Sequence, residues 1–334
     1  MPLTRRSMLA AGALLPLSSG TVRAQSAEFV IKVGSGNFPD HPSIVIMEQV
    51  AKAVAAESHG RIDMQVFASS QLGSDSQMTS QVRSGALECF IATDAVLTAV
   101  VPATSLCNMG FAFNSYDAVW KAMDGEFGSY VRQKVADASL HVFEKSWDNG
   151  FRQITTGNKP VKDVEDLAGL KIRVPASPLS LSLFKSLGAA PVSINFSELY
   201  SALQTGLVQG QDNPIANIET AKLYEVQKYC ALTSHTWDGI WIVVNKALWN
   251  QLPADLQAIL TRNINDGAAQ QRALSARLNE DLKATLTSRG MVINQPDVAS
   301  FKAALQRSGF YAEWKAKFSA EAWTLLERAV GTLA

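Results

Sequence analysis

Arg173 alternates with Ile172 and Val174 on an otherwise apolar run that ends at Pro175. A guanidinium at the carboxyl end of a parallel strand would face the crevice in which open α/β folds hold ligands. Its planar fork can grip a carboxylate with two parallel hydrogen bonds. Arg152, after Asn149-Gly150-Phe151, has a similar setting. On spacing alone, a structural ion pair accounts for either arginine equally well. Signs of catalysis are weaker. His41, His59, His141 and His235 form no HxH or HExxH pattern, so no metal site is expected. Gly34-Ser35-Gly36 lacks the third glycine of a dinucleotide loop and no GxxxxGK[ST] occurs, so no cofactor is expected. Ser182 and Lys185 fit the SxxK of penicillin-binding enzymes, but the companion SDN and KTG elements are missing and a helix face is the simpler account.

The elements that must position these residues alternate between strand and helix patterns. Phe29, Ile31 and Val33 mark a strand, residues 44–57 an amphipathic helix, and Ile62, Met64 and Val66 a second strand. Residues 75–84 read as a helix and 86–92 as a buried strand. This order predicts an α/β domain with a mainly parallel sheet. After a strand over 141–145, a break is expected near Asn149-Gly150, and a second series follows. It comprises a strand over 170–174, a helix over 178–187, a strand over 191–194 and a helix over 197–205. Residues 240–245 form a strongly apolar strand that can return to the first sheet, and residues 253–289 one long helix, interrupted at most at Gly267. Two α/β lobes joined by strand crossovers are expected: residues 25–150 with about 239–278, and residues 151–238 with about 279–334.

Composition excludes several classes. With 334 residues, 47% hydrophobic and 18% charged, the chain can bury a sizeable core and is not disordered. Thirty Lys and Arg balance thirty Asp and Glu, which leaves no basic excess for nucleic acid or an anionic membrane. The body of the chain holds no apolar run long enough to span a bilayer. Residues 1–24 read as an export signal: twin arginines Arg5-Arg6, an apolar stretch from Met8 to Leu17, and small residues before a cut near Ala24. The arginine pair fits the Tat route and equally allows Sec. Cleavage would leave 27 basic against 30 acidic residues, a net charge of −3. Cys89, Cys107 and Cys230 lie far apart, and no disulfide is expected.

Five segments together resemble one family. GLKIRVPAS (169–177), LGAAPVSINFSELYSALQTGLVQGQDNP (187–214) and YEVQKY (224–229) are similar to the DctP-type solute-binding proteins of TRAP (tripartite ATP-independent periplasmic) transporters. SSQLGSDSQMTSQVRSGALE (69–88) and NGFRQITT (149–156) resemble the same family in the same order. The resemblance implies a two-lobed periplasmic binding protein fold with a hinge and a central ligand cleft. It implies a periplasmic carrier, not an enzyme, that closes on an organic acid and delivers it to small and large permease membrane subunits. Arg173 stands where the family's main carboxylate contact is, Arg152 and Asn213 where the second and third are, and Phe196 where a pocket wall is. Gln209 departs from the aspartate that commonly precedes the glycine, a change expected to leave the arginine contact unharmed. A monomer is expected.

Trp237 and Trp241, in SHTWDGIW (234–241), suggest an aromatic wall, with Trp147 adding weight. The favoured ligand is therefore an aromatic or other hydrophobic monocarboxylate, 2-oxo acids included. C4-dicarboxylates and sugar acids are the alternatives within the family. Trp237, Asp238, Asp75 and Asn37 complete the expected substrate-binding set. A periplasmic sensor module would share the fold, and a secreted serine hydrolase built on Ser182 and Lys185 is the remote alternative.

Overall fold

A computed structural model describes residues 27–333; the expected export signal lies outside the described residues. Eleven strands build the sheet: β1 (Phe29–Ser35), β2 (Ile62–Phe67), β3 (Cys89–Thr93), β4 (Leu140–Val142), β5 (Trp147–Thr156), β6 (Lys171–Val174), β7 (Ala190–Ser193), β8 (Gly210–Pro214), β9 (Tyr229–Ala231), β10 (Trp237–Asn245) and β11 (Val292–Asn294). The main order is β2-β1-β3-β10-β5-β8-β6-β7. β1, β2 and β3 pair in parallel, as do β6, β7 and β8, so each lobe has the parallel core that alternating strands and helices require. β10 enters between β3 and β5, antiparallel to both.

Local sequence explains the elements that reach the cleft. The helix Asp75–Ser84 starts on a reciprocal cap, with the Ser74 hydroxyl accepting from the Gln77 amide and the Gln77 side chain accepting from the Ser74 amide. Gly85, at φ 83°, ends it in the left-handed conformation. β1 buries Ile31 and Val33 on alternating positions, ends at Ser35 and delivers Asn37 just beyond its carboxyl end.

Two strands run through both lobes. The first half of β5 pairs with β10, and its second half, from Arg152, pairs with β8 and β9. Asn149-Gly150 is thus no break but the middle of a ten-residue strand. Gly150 sits at φ 122°, where an L side chain would be strained, and β10 carries a register irregularity opposite, between Asp238 and Gly239. The long helix is uninterrupted over Ala254–Ser288 and is a third connection. Its Leu256, Leu260 and Ile264 belong to the core that includes Ile31 and Val33 of β1, and its Leu286 to the second-lobe core around Leu199, Ile215 and Cys230. The final helix, Ala320–Val330, corrects the expected lobe division: it packs on Tyr116–Met123 and Glu126–Asp137, beside the first lobe, not the second.

Candidate ligand-binding cleft

The carboxyl ends of the strands meet at a cavity of about 40 Å³, counted as space open to the centre of a water-sized sphere. That is room for roughly three waters. Of the expected site residues, Arg173, Arg152, Asn213, Phe196, Asp75 and Asn37 all line it. Contacts from both lobes close over it. Ser76 Oγ donates to Asn195 Oδ1 at 2.9 Å, Asn217 Nδ2 donates to Asn37 Oδ1 at 3.0 Å, and Phe38 meets Phe196 edge-on at 6.2 Å.

Two expected contacts are corrected. Trp237 is 1% exposed and packs edge-on against Phe113 and Trp120, with its indole Nε1 donating to Asp148 Oδ1 at 2.9 Å. Trp241 donates to Asp94 Oδ1 at 2.6 Å and Trp147 to the Ile264 carbonyl at 3.3 Å, so all three tryptophans are core and no aromatic wall exists there. Asp238 is fully buried and absent from the cavity lining; it accepts from Asn149, Asn108, the Ala95 amide and Arg152. Its role is to hold the groups that line the cleft. Ser182, the remote nucleophile, accepts from Trp314 Nε1 at 3.0 Å and serves helix packing.

The two arginines differ in how far the protein satisfies them. Arg152 donates from Nε to Asp212 Oδ2 at 2.6 Å, from Nη1 to Asp238 Oδ2 at 2.8 Å, and from Nη2 to the Asp212 carbonyl at 2.6 Å. Burial works against its charge, but Asp212 and Asp238 outweigh that and raise its pKa. Burial likewise pushes the Asp212 carboxyl up, and Arg152 with His235 overrides it and holds it below the usual range. Arg173 is 2% exposed, and among the described residues the one hydrogen bond of its side chain runs from Nε to the Ile194 carbonyl at 2.8 Å. Arg173 lines the cavity, and its terminal nitrogens have no acceptor among the described residues. Burial first, and repulsion from Arg152 second, lower its pKa to about 10. The Phe196 ring covers its guanidinium at 5.9 Å.

Asp75 supplies a negative charge on the opposite wall. Burial raises its pKa to about 6 against the pull of Arg173. Gly36 makes room for it, because a Cβ there would lie 2.5 Å from Asp75 Oδ1. Sequence reasoning missed Asn149, Asn217, Ser35 and Thr93, which also line the cavity. Asn149 opens the NGFRQITT segment, yet nothing in its spacing marked it as facing the ligand. Gln209 is exposed and bonds only through its backbone, so its departure from the family pattern leaves the cleft untouched.

Two α/β lobes joined by crossing strands, closing on a buried arginine that forms no ion pair among the described residues, define a periplasmic binding protein for organic acids. The comparisons agree. The profile of the family DctP, bacterial extracellular solute-binding protein family 7, matches residues 34–315. The chain belongs to this family, the periplasmic solute-binding proteins of TRAP transporters, which carry solutes and catalyse nothing. The uncharacterized protein y4mM of Sinorhizobium fredii is 32% identical over 90% of this chain, which spans 56% of that relative's length. A sugar acid binding protein from Advenella mimigardefordensis, in complex with galactonate, is 28% identical with a TM-score of 0.86, covering 91% of this chain and 98% of its own. A TRAP periplasmic solute binding protein from Sulfurospirillum deleyianum, with bound succinate, is 28% identical with a TM-score of 0.85 and the same coverage.

Proposed function

We propose that this protein captures a small hydroxylated monocarboxylate of the sugar-acid type and delivers it to the small and large membrane subunits of a TRAP permease. The observation that carries this reading is Arg173, a buried cation at the cavity wall whose terminal donors have no acceptor among the described residues. A buried charge without a partner is costly, and a ligand carboxylate relieves that cost with two hydrogen bonds. The rest of the lining argues against a second carboxylate. Arg152 is already balanced by Asp212 and Asp238, and Asp75 would repel another anion. Ser35, Asn37, Thr93 and Asn213 offer the hydrogen-bonding partners that hydroxyl groups need. The relatives that bind galactonate and succinate support these two acid classes over the aromatic acid suggested by Trp237 and Trp241.

Calorimetry with four- to six-carbon aldonates, succinate, malate and an aromatic 2-oxo acid tests the proposal. An aldonate is expected to bind at micromolar affinity, about −8 kcal/mol. Arg173→Ala should cost roughly 2–5 kcal/mol, and Arg173→Lys should also bind poorly because a point charge cannot form the fork. Near wild-type affinity in Arg173→Ala would overturn the assignment of the clamp. Succinate binding more tightly than every aldonate would replace the sugar-acid reading with the dicarboxylate one.

A further inference from the structure

We infer that the closed cleft selects its ligand by length, taking a hydroxy acid of three or four carbons and rejecting the six-carbon aldonates. The inference rests on the reading of the cleft as an Arg173-centred carboxylate site and adds the size of acid that the site accepts.

The cavity beside Arg173 offers about 40 Å³ to the centre of a water-sized sphere, room for roughly three waters. A three- or four-carbon acid replaces such a cluster, its oxygens standing where the waters would. Gluconate carries thirteen non-hydrogen atoms against seven in glycerate, so at interior packing density it needs roughly twice the space. The roof resists that growth, because it is made of contacts between the lobes. Ser76 Oγ donates to Asn195 Oδ1 at 2.9 Å, and Asn217 Nδ2 donates to Asn37 Oδ1 at 3.0 Å. Phe38, which follows β1 in the first lobe, packs against the second-lobe core around Leu199 and Ile215 and meets Phe196 edge-on. An acid too long for the cavity holds the lobes apart and forfeits these contacts, whereas a short acid keeps them. The walls add a second penalty. Ile91 and Val96 from the first lobe, with Pro175 and Phe196 from the second, line the cavity and offer no hydrogen bond from their side chains. Each further hydroxyl of a long aldonate that meets them loses its water without gaining a partner.

The test uses glycerate, erythronate and gluconate, which share a carboxylate and a hydroxyl on every other carbon and differ chiefly in length. Each is titrated by calorimetry into the wild type, Ser76→Ala and Phe38→Ala, with ligand-free melting confirming that each variant is folded. The tighter of the two short acids should bind the wild type at least about tenfold better than gluconate. Each variant should narrow that margin by about threefold, because the gluconate-bound protein lacks the contact that the substitution removes. A wild-type margin below tenfold would overturn the inference, a result that needs no variant. So would variants that leave the margin unchanged by weakening short and long acids alike. Failure of the underlying site reading looks different: Arg173→Ala would then bind the short acids as the wild type does, or the wild type would bind none of the three.

Discussion

Arg173 and Asp75 face one small cavity with opposite charges, and the balance between them sets which anions enter. At neutral pH Asp75, with a pKa of about 6, is mostly ionised. Asp75→Asn removes that charge and keeps the shape. Succinate affinity should rise by about tenfold relative to an aldonate, as expected when a like-charge contact of roughly 1.4 kcal/mol is removed. Parallel titrations check this, and an unchanged succinate-to-aldonate ratio would show that Asp75 does not guard the cleft. Arg173 was legible in the sequence because a cation flanked by Ile172 and Val174 at the end of a strand has few destinations. The tryptophans were not. Residues four apart on a strand share one face, and the pattern cannot say whether that face borders the cleft or the core. For Trp237 and Trp241 it is the core, fixed by Asp148 and Asp94.

Where β5 and β10 cross between lobes they are surrounded by buried carboxylates: Asp148 on β5, Asp238 on β10, and Asp94 just after β3. Burial, aided by repulsion from Asp238, raises the Asp94 pKa to about 7, and burial raises that of Asp148 to about 7 although Trp237 and Tyr116 pull it down. Both values stand above the unfolded 3.8, so the native state binds more protons than the unfolded state between those limits. Stability should therefore rise as pH falls from about 8 to about 6.5; below that, His41 and His141, whose native pKa values burial lowers to about 4, are protonated more readily in the unfolded chain and offset the gain. Asp212 works oppositely: its native pKa is depressed, and its contribution disappears as pH falls below the unfolded value. The melting temperature of the ligand-free protein should be highest between about pH 5 and 6.5, and Asp94→Asn should flatten its alkaline side. A melting temperature that climbs steadily from pH 5 to 8 would contradict this. Among the elements, the Asp75–Ser84 helix and the Ala254–Ser288 helix were plain from caps and periodicity. β8 was invisible: Gly210–Pro214 is polar in sequence yet wholly buried, because its side chains serve Arg152 and the cleft instead of a hydrophobic layer.

At the scale of the whole molecule, the cross-cleft bonds Ser76–Asn195 and Asn37–Asn217 describe a closed arrangement around a cation that still needs its anion. A ligand that satisfies Arg173 favours this arrangement over an open one. Small-angle scattering should show a smaller radius of gyration on saturation with a bound acid, and an unchanged curve would argue for a rigid, preformed pocket. The position of β10 has a consequence for how the protein is made. It fills the slot between β3 and β5, yet residues 157–236 are synthesised before it appears. A chain emerging from its N-terminus carries a gap in its first sheet until residue 245 is available, with β3 and β5 exposing unpaired edges. The first lobe cannot complete its sheet as an early unit, because the late strand fills its middle. The nascent chain must remain shielded from self-association until residue 245 has appeared and a middle strand can complete the first sheet.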